Sequence, residues 1–219
     1  VSYMASAVKV AAFAALLRVF VTPFDQWAVE WQPLVYGLAV LSLIVGAVLA
    51  AVQTDVKRMM AYSSVNHAGF ILLGIEAASA EGTIAVLFYL AAYTAIIAGT
   101  FGVITVVAGA RDRRTTIDDY RGLSTRRPVL ALAFTVLLLA QAGVPLTSGF
   151  FAKFESILAA VEASSYWLAV IAMLTAVVSA FVYLRVVVAM YMRDPDEDAE
   201  PVEPENIAPG DELGIGLDV

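Results

Sequence analysis

Six runs of largely apolar residues, each long enough to cross a bilayer, take up most of the chain between Tyr3 and Met192. A spanning helix needs about 20 such residues, because the hydrocarbon core is about 30 Å thick and a helix rises about 1.5 Å per residue. The runs are 3–20, 34–53, 59–78, 84–109, 129–161 and 166–192. Hydrophobic residues make up 61% of the 219 and charged ones 15%, against roughly 45–50% and about 25% in soluble domains. A chain crossing lipid must satisfy its backbone internally. The expectation is therefore an all-α integral membrane protein, a multipass helix bundle of six spans in the lipid bilayer.

The fifth run is broken. It contains LLLAQAGVPLTSGFFAKFE (137–155), in which Gly143 and Pro145 interrupt the helix and Thr147, Ser148 and Gly149 follow. Proline removes a backbone donor and clashes with the preceding turn. Polar backbone freed inside a membrane is tolerated only against protein or a water-filled cavity. Lys153 lies just past the break, with Phe150, Phe151 and Phe154 around it. It reads as a buried functional cation beside such a cavity, or as an interfacial lysine within an aromatic belt.

Three more ionisable groups are singled out within the runs. Each costs roughly 2.5–3.5 kcal/mol at a helix centre on insertion scales, so each asks for a reason. Lys9, in SAVKVAAFAALLRVF, reads either as a protonatable group facing the bundle interior or as a lysine snorkelling to an interface. His67 has Ser63 and Ser64 four and three positions earlier on roughly the same face, which could hydrate it. It serves as a proton relay or as a hydrogen-bonding structural group. Arg185 is expected to snorkel or pair near its helix end. On the fourth run, Gly99 and Gly102 suit close helix contact.

Loops give an orientation. Lys57 and Arg58, then Arg111, Arg113, Arg114, Arg121, Arg126 and Arg127, then Arg193 fall in alternate loops, and the loops between have no basic residue. The positive-inside rule puts the basic loops in the cytoplasm. Trp27, Trp31 and Trp167 then fit the outer interfacial belt. The tail (193–219) is acidic and proline-rich and reads as a cytoplasmic linker. Lysine and arginine are too sparse to make a nucleic-acid face. The absence of cysteine excludes disulfides and cysteine-ligated clusters, and a single histidine leaves no multi-histidine haem or metal site within this chain. The chain opens on Val1 and closes on GIGLDV. It is expected to be a piece of a longer protein, with helices missing at both ends.

DVKRMMAYSSVNHAGFILLGI (55–75) resembles the signature of the antiporter-like membrane subunits of respiratory complex I. The likeness continues through FYLAAYTAIIAGTFGVI, DDYRGLSTRRP, GVPLTSGFFAKF and FVYLRVVVAMYM, in the family's order. Subunits of multisubunit cation/proton antiporters share this fold. Among the three complex I paralogues, one carries glutamate at the place of Lys153. The GFFAKF and FVYLRVVVAMYM stretches, with YRGL (120–123), suit a second better than the third. The resemblance implies fourteen helices in two inverted repeats, of which this chain would hold the eighth to the thirteenth. It matches Lys9 to the central lysine of the eighth helix, His67 to the histidine of the tenth and Lys153 to the lysine of the broken twelfth. It implies a proton relay through Lys9, His67 and Lys153 in a multi-pass protein of the bacterial plasma membrane, a translocase subunit whose partners are other complex I membrane subunits. No cofactor or metal is expected in this chain; NADH, FMN, iron–sulfur clusters and quinone are expected in partner subunits.

Overall fold

The computed structural model describes residues 7–109 and 115–193. The first six residues, Arg111, Arg113 and Arg114, and the acidic tail beyond Arg193 lie outside the described residues. Eight helices follow in order: α1 (Lys9–Val21), α2 (Ala28–Ala51), α3 (Val56–Glu76), α4 (Ala80–Ala108), α5 (Leu123–Arg126), α6 (Pro128–Ala142), α7 (Ser148–Glu162) and α8 (Tyr166–Met192). A short 3-10 turn, Ile117–Tyr120, precedes α5. Among the described residues, three helical stretches are long and apolar enough to cross a membrane alone: Asp25–Ala51, Ala80–Ala108 and Tyr166–Met192. The halves α6 and α7 have 15 residues each. Each rises about 22 Å, so only the pair together matches a bilayer core.

Helix starts follow from their capping residues. Asp55 accepts the Arg58 N–H at 2.8 Å at the head of α3, and Ser79 accepts that of Gly82 at 2.9 Å at the head of α4. Pro128 opens α6, where its missing N–H leaves no bond unmade.

α3 is the central element. Fifteen of its 21 residues are buried, whereas α1 buries only Leu17. α2 packs against it at backbone distance. A Cβ on Gly46 would come within 2.4 Å of the Asn66 nitrogen, and one on Gly69 within 2.9 Å of the Leu43 nitrogen. Small residues at helix crossings allow this approach in lipid, where apolar burial alone does not draw helices together. Of the two glycines expected at close contacts on α4, Gly99 faces the Leu137 side chain, but Gly102 has nothing within 4 Å. Sequence gives only spacing on one helix, and close contact needs a partner opposite.

Asn66 ties three helices together. Its Nδ2 donates to the Leu43 carbonyl on α2 at 2.9 Å, and its Oδ1 accepts from Ser179 on α8 at 3.0 Å. One end of the bundle is strapped by the segment after α4. Val56 N–H donates to Thr115 O and Ile117 N–H to Thr54 O, at 2.6 and 2.9 Å. Ser124 donates to the Met190 carbonyl at 2.8 Å, and Asp118 lies 3.7 Å from Arg193. The segments carrying Lys57, Arg121 and Arg193 therefore lie together at one end.

Candidate functional site

The break between α6 and α7 is built by its backbone. Gly143 adopts φ +86°, a left-handed conformation that suits glycine. Its N–H donates to Ala140 O and that of Val144 to Leu139 O, both at 3.1 Å. This pair of bonds is the Schellman ending, and it leaves the last two carbonyls of α6 without partners from the turn. Thr147 restarts the chain as the cap of α7, accepting the Phe150 N–H at 3.3 Å. Gly149 sits so tightly against α6 that a Cβ there would lie 1.8 Å from Ala140 O.

Lys153 fills the place the break makes. Helical side chains lean towards the N-terminus of their helix, which here directs the lysine back to the end of α6. Its Nζ donates to Gln141 O at 2.8 Å and Ala142 O at 3.0 Å, the two carbonyls that the turn leaves free. The helix C-terminus carries partial negative charge, so a cation is favoured there. Lys153 is 5% exposed, and its Nζ stands 5.2 Å from the centroid of the Phe70 ring. Phe151 and Phe154 face outward instead.

Lys9 and His67 belong to two hydrogen-bonded clusters along α3 and α4. Lys9, half-buried, donates to both the carbonyl and the hydroxyl of Ser64, the latter at 2.6 Å. Tyr93 also donates to the Ser64 hydroxyl at 3.0 Å, and Lys9 Nζ lies 5.2 Å from the Tyr93 ring centroid. His67 is buried, with Nδ1 2.7 Å from the Tyr89 hydroxyl and Nε2 3.0 Å from that of Tyr183. Tyr183 bonds in turn to Ser63. The serines therefore do not hydrate the histidine, as their spacing had suggested. One holds Lys9 and the other a tyrosine, while two phenols take both imidazole nitrogens. The clusters touch where the His67 and Tyr93 rings lie 5.0 Å apart.

Three groups have no role in the reading from sequence, although Tyr89 and Tyr93 stand out there as polar residues of the fourth run. Tyr89, Tyr93 and Thr100 form one buried stripe on α4, at spacings of four and seven. The same spacing, polar within an apolar run, was the signal available for them. Gln141 and Glu76 stood alone in apolar surroundings. Gln141 donates to Thr100 Oγ1 at 2.7 Å. Glu76 lies inside the third apolar run. It is buried at the end of α3, with one oxygen accepting from Ser165 at 2.7 Å and the other unpaired.

Arg185 proves to be a cap. It donates to Ala51 O at 2.9 Å and to Gln53 O, the last carbonyls of α2 and of the turn after it. Trp31 is buried against Phe20 and donates to Phe24 O at 2.9 Å, whereas Trp27 and Trp167 are exposed. Among the described residues no three His, Cys, Asp or Glu side chains stand together as metal ligands would. The arrangement holds protonatable groups, hydroxyls and an imidazole in lipid-shielded surroundings, which suits passing a proton rather than making bonds.

A helical membrane bundle with a lysine seated in a broken helix, beside a buried line of hydroxyls and an imidazole, defines an antiporter-like membrane protein. The chain belongs to the NADH:quinone oxidoreductase/Mrp antiporter transmembrane family, whose profile matches residues 1–179. It is 42% identical over 203 residues to NADH-quinone oxidoreductase subunit N 1 of Solibacter usitatus, covering 93% of this chain and 42% of that one. It is 46% identical over 200 residues to subunit N of Salinispora arenicola, covering 91% and 39%. The N type is the paralogue that the motifs around Lys153 suit best. Among solved structures, a chain of Thermus thermophilus respiratory complex I matches with a TM-score of 0.73 and 34% identity, over 90% of this chain and 42% of that one. A chain of the Mrp complex of a Dietzia species has a TM-score of 0.78 at 24% identity, over 84% and 34%, a likeness of fold alone. The chain thus spans about two fifths of the curated relatives it matches, 42% and 39% of these two.

Proposed function

We propose that this chain is part of a proton-translocating subunit of NADH–quinone oxidoreductase, respiratory complex I, held in the bacterial plasma membrane with other complex I membrane subunits. Lys9, His67 and Lys153 are its relay, and the end of the bundle carrying Lys57, Arg121 and Arg193 faces the cytoplasm. Redox chemistry at a quinone, with NADH, FMN and iron–sulfur clusters in partner subunits, supplies the driving force. Changes of charge there pass to these groups by coupling between titrating sites.

The observation that carries the reading is Lys153. Its side chain is buried and its ammonium bound to two carbonyls freed by a helix break, a costly placement for a merely structural side chain. Elsewhere along α3 and α4, Tyr93, Ser64 and Lys9 offer hydroxyl and amine groups within hydrogen-bond reach of one another. In the full-length subunit within the assembled complex, Lys153→Ala is expected to weaken proton pumping, with transfer through this subunit slowed by about a hundredfold or more, the low end of what a positioned proton-transfer group contributes. Wild-type pumping by that assembled variant would overturn the reading.

A second reading is a subunit of a multisubunit cation/proton antiporter, favoured by the fold likeness to the Mrp complex. The identity of 42–46% to N subunits against 24% there supports the first. Sodium-dependent proton exchange in vesicles without NADH would support the second.

A further inference from the structure

α2 reaches the strapped end of the bundle at Ala51, so its first residues stand at the opposite end, beside the last turn of α1. A groove opens between them, lined by Val19 and Phe20 of α1 and by Trp27, Glu30, Trp31 and Leu34 along the start of α2. Its volume is about 620 Å³, within the roughly 300–1,000 Å³ of pockets that take small molecules. Neither Lys9, His67 nor Lys153 lines it. Its inner wall is fixed, because the Phe20 and Trp31 rings lie 4.5 Å apart and Trp31 Nε1 donates to Phe24 O at 2.9 Å. Phe24 and Trp27, at the mouth, are about half exposed.

The groove has an apolar end and a charged end. Leu34 follows Glu30 by one turn on the same face of α2, about 6 Å deeper into the membrane. Glu30 is exposed and is the one charged side chain on the lining. No lysine or arginine occurs from residue 19 to 56, so neither the connection nor α2 supplies a cation to answer it. Phe24, Trp27 and Trp31 stand with the carboxylate, and the negative faces of such rings attract ammonium groups. A bare phosphate would be repelled. Lipid tails are as apolar as the side chains, so the apolar wall alone does not retain a lipid. The contact at the headgroup therefore decides which lipid stays.

We infer that this groove holds one phospholipid with a primary-ammonium headgroup, its ammonium on the Glu30 carboxylate beside Trp27 and Trp31 and one acyl chain along Val19, Phe20 and Leu34. A primary ammonium brings three N–H donors, which a carboxylate accepts in charge-assisted hydrogen bonds and which a quaternary amine lacks. The lipid fastens the end of α1, a helix that buries only Leu17, to the start of α2. The inference concerns binding and is independent of the relay proposed above.

The test uses the full-length subunit in the assembled complex, reconstituted in nanodiscs of phosphatidylethanolamine and phosphatidylglycerol in equal parts, and in nanodiscs of phosphatidylglycerol alone. A cryo-electron microscopy map from the mixed discs should show an acyl chain along Val19 and Leu34, with a headgroup amine within about 4 Å of the Glu30 carboxylate. In phosphatidylglycerol alone this headgroup density should be missing. Glu30→Gln keeps the shape and removes the charge, and should lower headgroup occupancy by about fivefold, the upper reach of an exposed ion pair. Val19→Trp fills the apolar end and should displace the chain. Equal density in phosphatidylglycerol alone, or unchanged occupancy in Glu30→Gln, overturns the inference. So does a groove without ordered lipid, or one filled by another segment of the subunit or of a neighbour. Should either variant fail to assemble, the two wild-type maps decide. Lys153→Ala should leave the lipid in place, so the loss of one reading does not carry the other with it.

Discussion

Lys153 and Arg185 each reach from one helix to the last carbonyls of another. Lys153 goes from α7 to Gln141 and Ala142 at the end of α6, and Arg185 from α8 to Ala51 and Gln53 at the end of α2. Both answer the same need, a helix end whose carbonyls lack partners inside a membrane protein. Their surroundings differ. Arg185 is half-buried at the strapped end of the bundle, where Thr54 and Val56 bond to Ile117 and Thr115. Lys153 is enclosed, with a phenyl ring on one side and Gln141 on the other. A guanidinium is a rigid fork that keeps its charge, while an ammonium sits on a flexible stem and can give up its proton. On the relay proposed above, the contrast is between a cap that keeps its charge, built from arginine, and a cap able to give up its proton, built from lysine.

The largest effect expected is from Gly149→Ala. The added carbon would overlap Ala140 O at 1.8 Å, and a helix carbonyl cannot step aside as a side-chain tip can. The halves of the broken helix would be forced apart, at a cost above about 4 kcal/mol. Little full-length subunit should appear in purified complex, while Gly102→Ala, which faces open space, should assemble as wild type. Normal assembly of Gly149→Ala would break the claim that the seat of Lys153 is fixed by backbone contact.

Exchanging the two cations tests the comparison directly. Lys153→Arg keeps the charge and the donors but not the ability to release a proton. It should assemble, yet proton transfer through the subunit should slow by about a hundredfold or more. Arg185→Lys keeps a charge but loses the fork, and should destabilise the subunit by about 1–2 kcal/mol. Thermal unfolding of purified complex should shift down by a few degrees, roughly, with pumping per assembled complex unchanged. If Lys153→Arg pumps normally, release of the proton is not what the lysine is for. If Arg185→Lys loses pumping, the two caps are not separable.

Much of this architecture is legible in the sequence, and what is not has physical causes. The apolar runs announce the helices, because length and polarity in lipid admit few alternatives. Gly143 and Pro145 announce the break. The positions of Lys9, His67 and Lys153 stand out by cost alone. Partners are harder, since a hydrogen bond between α3 and α8 leaves no trace in either stretch. Spacing pairs His67 with its neighbours Ser63 and Ser64, yet its bonds go to Tyr89 and Tyr183, 22 and 116 residues away. A polar stripe on α4 could have pointed to Tyr89, Tyr93 and Thr100. The Gln141 carbonyl that holds Lys153 could not be found so, because which carbonyls of α6 are left open depends on the turn taken at Gly143. Arg185 is expected to snorkel or pair, and it pairs with the Ala51 and Gln53 carbonyls, partners that sequence cannot name because it does not show that a second helix ends beside it.

The smallest effect concerns the strapped end, and it asks whether that end is as fixed as the arginine cap implies. Tyr120 is fully buried, its ring 5.6 Å from that of Phe134, and its hydroxyl has no partner. Burial pushes the phenol up from its ordinary value, and Asp119 and then Asp55 add to this. The neutral form is therefore the one present at and well above neutral pH, and Tyr120→Phe removes a polar group but no charge. Leaving a buried hydroxyl unpaired costs about 1–3 kcal/mol. The substitution should stabilise the segment by about 1 kcal/mol, a gain that stays level between about pH 6 and 9 because no titration of this residue falls in that window. Slower proteolysis of the loop before α6 in assembled complex would register it, with pumping unchanged. Faster proteolysis would mean that the hydroxyl has a partner on which this end relies, and that fixity there comes from more than the Arg185 cap and the backbone strap.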